Sequence, residues 1–151
     1  MFLGIIIPDR LKNSIFIQAY ADYIRRIGFY CDIRLYDFKS KYTKDLEKTM
    51  AFQKDKILDI SSDYTKITVE AKGRMMNSLT FSKWMEKMKL YEMAIYFILG
   101  GAYGLPKGIT EIADDNISLS ELTFSHEIAL IVLLEQIYRS FTMLHNHPYN
   151  K

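Results

Sequence analysis

Apolar and polar positions follow two rhythms along this chain, one of period two and one of period three to four, and they alternate from end to end. Residues 2–7 are almost wholly apolar and predict a first strand. Asn13 or Ser14 can then cap a helix running to about residue 27, because Ile17, Tyr20, Ala21, Ile24 and Ile27 fall on one face. Gly28 stands where a helix commonly stops. Residues 31–38 predict a second strand, and residues 46–60 return to helical spacing at Leu46, Met50, Ile57 and Ile60. Residues 64–70 are rich in β-formers, and Ala71-Lys72-Gly73-Arg74 reads as a break. A helix over about 78–91 leads into a buried-looking strand at 93–99. A short helical stretch near 107–113, a short strand at 116–119 and a last helix at 126–144 complete the pattern.

Strand and helix in alternation argue for an α/β fold, a mostly parallel sheet with helices on both faces. Ligands in such sheets bind at the carboxyl ends of the strands. Glu70, Gly100 and Leu119 each close a predicted strand, so they are expected near one another. The last helix is unusual: Ile128-Ala129-Leu130-Ile131-Val132-Leu133-Leu134 is apolar on every side of two turns. A helix apolar all round is buried all round. One face of a small sheet cannot cover it, so the expectation is that it also forms a subunit interface.

Composition narrows the class without deciding it. At 151 residues, with 49% hydrophobic and 25% charged positions, the chain has the make-up of one soluble domain with a proper core. The apolar run at 2–7 is cut short by Pro8-Asp9-Arg10 with no basic region before it, so it is not read as a signal peptide. The longest purely apolar stretch, 128–134, falls far below the roughly 18 residues of a membrane span. Cys31 has no partner cysteine and reads as a free thiol in a reducing, cytoplasmic setting. Charge is unevenly placed: residues 1–89 hold 17 Lys/Arg against 11 Asp/Glu, whereas residues 90–151 hold 3 against 7. A basic half can grip a phosphate backbone; equally, many of its lysines are interleaved with acids on solvated helix faces.

The chemistry-bearing residues lie in the last third. Gly100-Gly101-Ala102-Tyr103-Gly104 directly follows a strand, but it matches neither the dinucleotide fingerprint nor a P-loop. In isolation it is a tight turn or a place where backbone approaches a ligand. His126, His145 and His147 lack the companion ligands a metal site requires, and no Gly-x-Ser-x-Gly elbow is present.

Four blocks in order carry a resemblance. Phe97-Ile98-Leu99-Gly100-Gly101-Ala102-Tyr103-Gly104-Leu105 is followed by Leu119-Ser120-Glu121-Leu122-Thr123-Phe124-Ser125-His126. Glu135-Gln136-Ile137-Tyr138-Arg139-Ser140-Phe141 and a terminal His147-Pro148-Tyr149-Asn150-Lys151 come after. Together they resemble the RlmH family, small SPOUT-class methyltransferases that modify N3 of a pseudouridine in 23S ribosomal RNA. The likeness is good from about residue 64 onward and thinner before it, where Tyr20-Ala21-Asp22-Tyr23-Ile24-Arg25-Arg26 looks like the family's first helix.

The resemblance implies a C-terminal trefoil knot, a homodimer, and S-adenosylmethionine bound in bent form against the knot. It implies cofactor contacts at Val69, Gly100 and the run Leu119, Ser120, Glu121, Leu122, Thr123 and Phe124. Such a pocket suits an adenine recognised by backbone groups between apolar walls. It further implies catalytic work by Arg139, His147 and Tyr149, and contact with ribosomal RNA through Arg139, Asn150 and Lys151. Methyl transfer needs alignment and relief of the imide proton, and no metal.

Three departures from the family's pattern stand out. Asn150 occupies the place of a usual histidine, leaving His147 or an ordered water as proton acceptor; Ser125 replaces a common proline, and the usual Gly-Lys after the first strand is missing. Because of Asn150, a non-catalytic ribosomal RNA-binding module of the same fold stands as the alternative.

Overall fold

The computed structural model describes residues 1–40 and 42–150, with the side chain of Asn150 outside the description. Five strands form a single parallel sheet: β1 (Phe2–Ile7), β2 (Asp32–Asp37), β3 (Thr65–Met75), β4 (Ala94–Leu99) and β5 (Asp115–Ser118), in the order β2-β1-β4-β3-β5. Helices α1 (Ser14–Ile27), α2 (Leu46–Ser61), α3 (Ser78–Tyr91), α4 (Ile109–Ile112) and α5 (His126–Leu144) connect and cover it. The α/β arrangement expected from the alternating rhythms is therefore present.

The strands' period-two alternation divides the core into two layers. Leu3, Ile5 and Ile7 of β1, with Ile95, Phe97 and Leu99 of β4, face the larger core that α1, α3 and α5 close. Ile6, Ala94, Tyr96 and Ile98 point the other way, onto Ile57 of α2 and Ile109 of α4. Helix starts follow their caps. The side chain of Asn13 accepts from Ile15 N, Asp45 from Glu47 N and Lys48 N, Asn77 from Thr80 N, and Ser125 from Ile128 N.

One local expectation changes and two gain detail. Gly28 does end α1, but at φ −58°, a right-handed conformation open to any residue. Residues 71–74 do not break β3. The strand runs on to Met75, and its pairing with β5 shifts register between Val69 and Arg74, so the extra residues form a bulge. Gly73 makes that close approach possible, since a Cβ there would lie 2.3 Å from the carbonyl carbon of Ile117. Finally, α5 is not buried all round by its own chain. Leu130, Leu133, Leu134, Ile137 and Phe141 are buried, whereas Ile128 remains 39% exposed and Ile131 and Val132 are half-buried on the opposite stripe.

Candidate active site

Three segments, the bulge of β3 and the loops at the carboxyl ends of β4 and β5, meet around one cleft of about 320 Å3. The first is the start of the β3 bulge, with Val69, Glu70 and Ala71; the second follows β4, from Leu99 to Leu105; the third follows β5, from Leu119 to Phe124. His126 and Ala129, from the first turn of α5, close the far wall. Val69, Gly100, Leu119, Ser120, Leu122, Thr123 and Phe124 all line this space; among the eight cofactor positions implied by sequence, Glu121 alone is outside the lining.

Each loop has a physical reason for its shape. Gly104 N–H donates to the Gly101 carbonyl at 3.0 Å, folding 101–104 into a turn with Ala102 and Tyr103 at its corner. Gly104 sits at φ +82°, where only glycine is unstrained. A Cβ on Gly100 would lie 2.6 Å from the Gly104 carbonyl carbon and 2.8 Å from Leu105 N. The first demand on Gly100 is thus closure of its own loop, and the room left beside it is a consequence. In the third loop, Ser118 Oγ donates to the Ser120 carbonyl at 2.9 Å and Ser120 Oγ accepts from Leu122 N at 3.0 Å. Two serines thereby tie the strand end into a bend that directs Leu119 toward the core and leaves Leu122 71% exposed. Glu70 is held at the cleft by Asn116 Nδ2 (2.7 Å) and Thr110 Oγ1 (3.2 Å).

The C-terminal residues form a second cluster elsewhere on α5. After α5, residues Pro148–Asn150 make one turn of 3-10 helix that folds back on the helix. The Tyr149 hydroxyl donates to Glu135 Oε1 at 3.2 Å, and its ring packs edge-on to Tyr138 at 4.8 Å. Arg139 donates to the same Glu135 oxygen through Nε (3.0 Å) and Nη2 (2.6 Å), and its guanidinium covers the Tyr149 ring at 4.9 Å. His147 Nδ1 accepts from Tyr149 N at 3.2 Å. Burial, reinforced by Glu135, pushes the Tyr149 phenol up to about 12, so it is a donor and not a base at neutral pH. The hydrogen bond to Glu135 holds Arg139 above its ordinary value.

The structure brings Arg139, His147 and Tyr149 together, whereas Lys151 and the Asn150 side chain lie outside the described residues. Glu135, which organises the cluster, carried no role in the sequence reading. Its signal was the i, i+4 spacing to Arg139 on one helix face.

Cleft and tail are separate within one chain. Ala129, at the cleft, and Arg139, at the tail, are ten residues apart on a continuous helix, about 15 Å at 1.5 Å per residue.

A parallel sheet with a glycine-turned cleft at its carboxyl edge defines a class, and comparison with known proteins agrees. Residues 1–150 match the family model described as "Predicted SPOUT methyltransferase", and the chain belongs to the SPOUT methyltransferase family. Curated relatives span its full length. A ribosomal RNA large subunit methyltransferase H from Pseudothermotoga lettingae is 30% identical, covering 99% of both chains. One of the same name from Exiguobacterium sp. is 33% identical, covering 100% of each. Among solved structures, one described as a probable methylase family protein from Haemophilus influenzae Rd KW20 aligns with TM-score 0.58 at 14% identity, over 99% of this chain and 70% of that one, a likeness of fold.

Proposed function

We propose that this protein transfers a methyl group from S-adenosylmethionine to large-subunit ribosomal RNA, at N3 of a pseudouridine in 23S RNA, and works as a homodimer in the cytoplasm. The carrying observation is the convergence of the β3 bulge and the loops after β4 and β5 on one cleft. The names and full-length coverage of the curated relatives support the RNA target.

The cleft fits the cofactor. Its size lies in the ~300–1,000 Å3 range of small-molecule sites, and Val69, Leu99, Leu105, Leu119 and Phe124 offer apolar walls. The backbone of Gly100, Ser120, Leu122, Thr123 and Phe124, which line the cleft, would supply the polar edge. When bound, S-adenosylmethionine supplies an electrophilic methyl group. This chain's residues provide the remainder: an apolar wall from Leu119 and Phe124 against the bound cofactor, and orientation of the target base by the tail.

Because a protomer's tail packs about 15 Å from its own cleft along α5, the reading has a partner's tail complete each cleft. The half-exposed stripe of Ile128, Ile131 and Val132 on α5 supports this, since it offers an apolar face for a second copy. There Arg139 would meet the negative charge that develops as the imide proton leaves, and protonated Tyr149 would donate to the base. His147 or an ordered water takes the proton. The trefoil knot belongs to the same reading.

The test is transfer of labelled methyl to ribosomes or large subunits lacking the modification, with the product nucleoside identified by mass spectrometry. Incorporation into 23S RNA at a pseudouridine is expected. Stable ribosome binding without any incorporation would favour the alternative, an RNA-binding module of the same fold.

A further inference from the structure

Beside the first cleft opens a second, of about 670 Å3, and the two share Ala102 and His126 in their walls. Its frame is built from loops that follow β1, β2 and β4. Asp9 ties the three together, because its carboxylate accepts from Ala102 N at 3.0 Å and from the Tyr42 hydroxyl. Ser40, buried, donates to the Pro8 carbonyl and accepts from Gln53 Nε2 at 2.8 Å. A Cβ on Gly101 would fall 2.6 Å from Asp9 Oδ2, so glycine there lets the third loop close on the first. Burial and the Asp9 bond push the Tyr42 phenol up to about 12, keeping that hydroxyl a donor. A wall fixed at this many points is preorganised before any ligand arrives.

What the frame presents is specific in kind. Arg10, Lys12 and Lys39 are exposed on its rim, and none of them forms an ion pair among the described residues. Between them, Tyr42 and Tyr103 lie with ring centroids 5.8 Å apart, 48% and 61% exposed. Exposed aromatic faces beside unpaired cations are what single-stranded nucleic acid requires: a stacking surface for a base and charge for its phosphates. Among the residues lining this cleft, Arg10, Lys12 and Lys39 outnumber the acids Asp9 and Glu127, and Asp9 is already engaged by Ala102 N and Tyr42, a balance that favours a polyanion over a neutral metabolite.

We propose that this second cleft is a subsite for single-stranded RNA, in which a base adjoining the target nucleotide stacks on the Tyr42–Tyr103 pair while Arg10, Lys12 and Lys39 take the flanking phosphates. The proposal rests on the methyltransferase reading above, because the shared wall sets this subsite next to the methyl-donor cleft. Asp9 is a positioning residue in it, acting through Tyr42 and the Ala102 backbone.

The experiment measures binding of the full-length protein to purified ribosomes at several salt concentrations, with S-adenosylmethionine affinity followed by calorimetry. Tyr103→Ala is expected to weaken ribosome binding roughly 5- to 150-fold, the equivalent of about 1–3 kcal/mol for one stacked base, and Tyr103→Phe to restore it. Combined Arg10→Ala, Lys12→Ala and Lys39→Ala should lower the slope of log affinity against log salt by about 2. Cofactor affinity should stay within about twofold in all of them, since none of these side chains lines the first cleft. Wild-type affinity and slope in both Tyr103→Ala and the triple variant, with methyl transfer intact, would overturn the subsite and leave the enzyme reading standing. A wild-type protein that neither binds nor methylates ribosomes would remove the reading and the subsite together. Should the triple variant lose its fold, the Tyr103 pair alone decides.

Discussion

At the scale of single residues, the glycine loop and the tail tyrosine make the sharpest claims. Gly100→Ala forces a Cβ within 3 Å of the Gly104–Leu105 backbone, so the loop must move and the cleft with it. Cofactor affinity by calorimetry is expected to fall roughly 5- to 150-fold, the scale of a ~1–3 kcal/mol overpacking cost. Tyr149→Phe keeps the ring contacts with Tyr138 and Arg139 and removes one bond to Glu135, which should cost about 1 kcal/mol in urea unfolding. Tyr149 and Cys31 both hold their protons to about 12, chiefly through burial, against ordinary values of 10.0 and 9.0. Their neutral forms are favoured by the fold, so their contribution is whole below the unfolded values and is lost as pH rises toward 12. Unfolding free energy should therefore decline between about pH 9 and 12 on their account; a rise across that window would contradict the sign. The need for glycine at 100 was legible in sequence, but its cause was not, because the atoms it avoids belong to a turn four residues later.

At the scale of elements, period and capping residues were enough for nearly every strand and helix. The exception is β3. Ala71-Lys72-Gly73-Arg74 carries the local marks of a break, yet pairing with β5 carries the strand through it as a bulge. A local pattern cannot register a partner as distant in sequence as Ile117 is from Arg74, and the sheet overrode it. Gly73→Ala should lower stability by about 1–3 kcal/mol by thermal melting, because its Cβ would meet the Ile117 backbone. For α5 the all-round apolar pattern was informative in a different way. The chain covers most of the helix with α1, α3 and β4 and leaves one stripe at Ile128, Ile131 and Val132. On the proposed homodimer, Val132→Asp is expected to give a monomer in light scattering and abolish methyl transfer while cofactor binding persists.

At the scale of the whole molecule, the convergence of Val69–Ala71 with the ends of β4 and β5 was readable because parallel topology brings them to one edge, Val69 pairing with Leu99 at the end of β4. The separation of cleft and tail was not readable, since it depends on the tail's turn onto Glu135 and Arg139. That separation makes the central claim testable by mixing. Gly100→Ala impairs the cleft and leaves the tail; Tyr149→Ala impairs the tail and leaves the cleft. If each cleft is completed by the other protomer's tail, as proposed, a mixed dimer regains one intact site although both parents are inactive. Labelled-methyl transfer to ribosomes after subunit exchange should then recover to about a quarter of wild type, half the dimers being mixed and each holding one good site of two. A mixture as inactive as its parents, with exchange verified, would contradict the shared site.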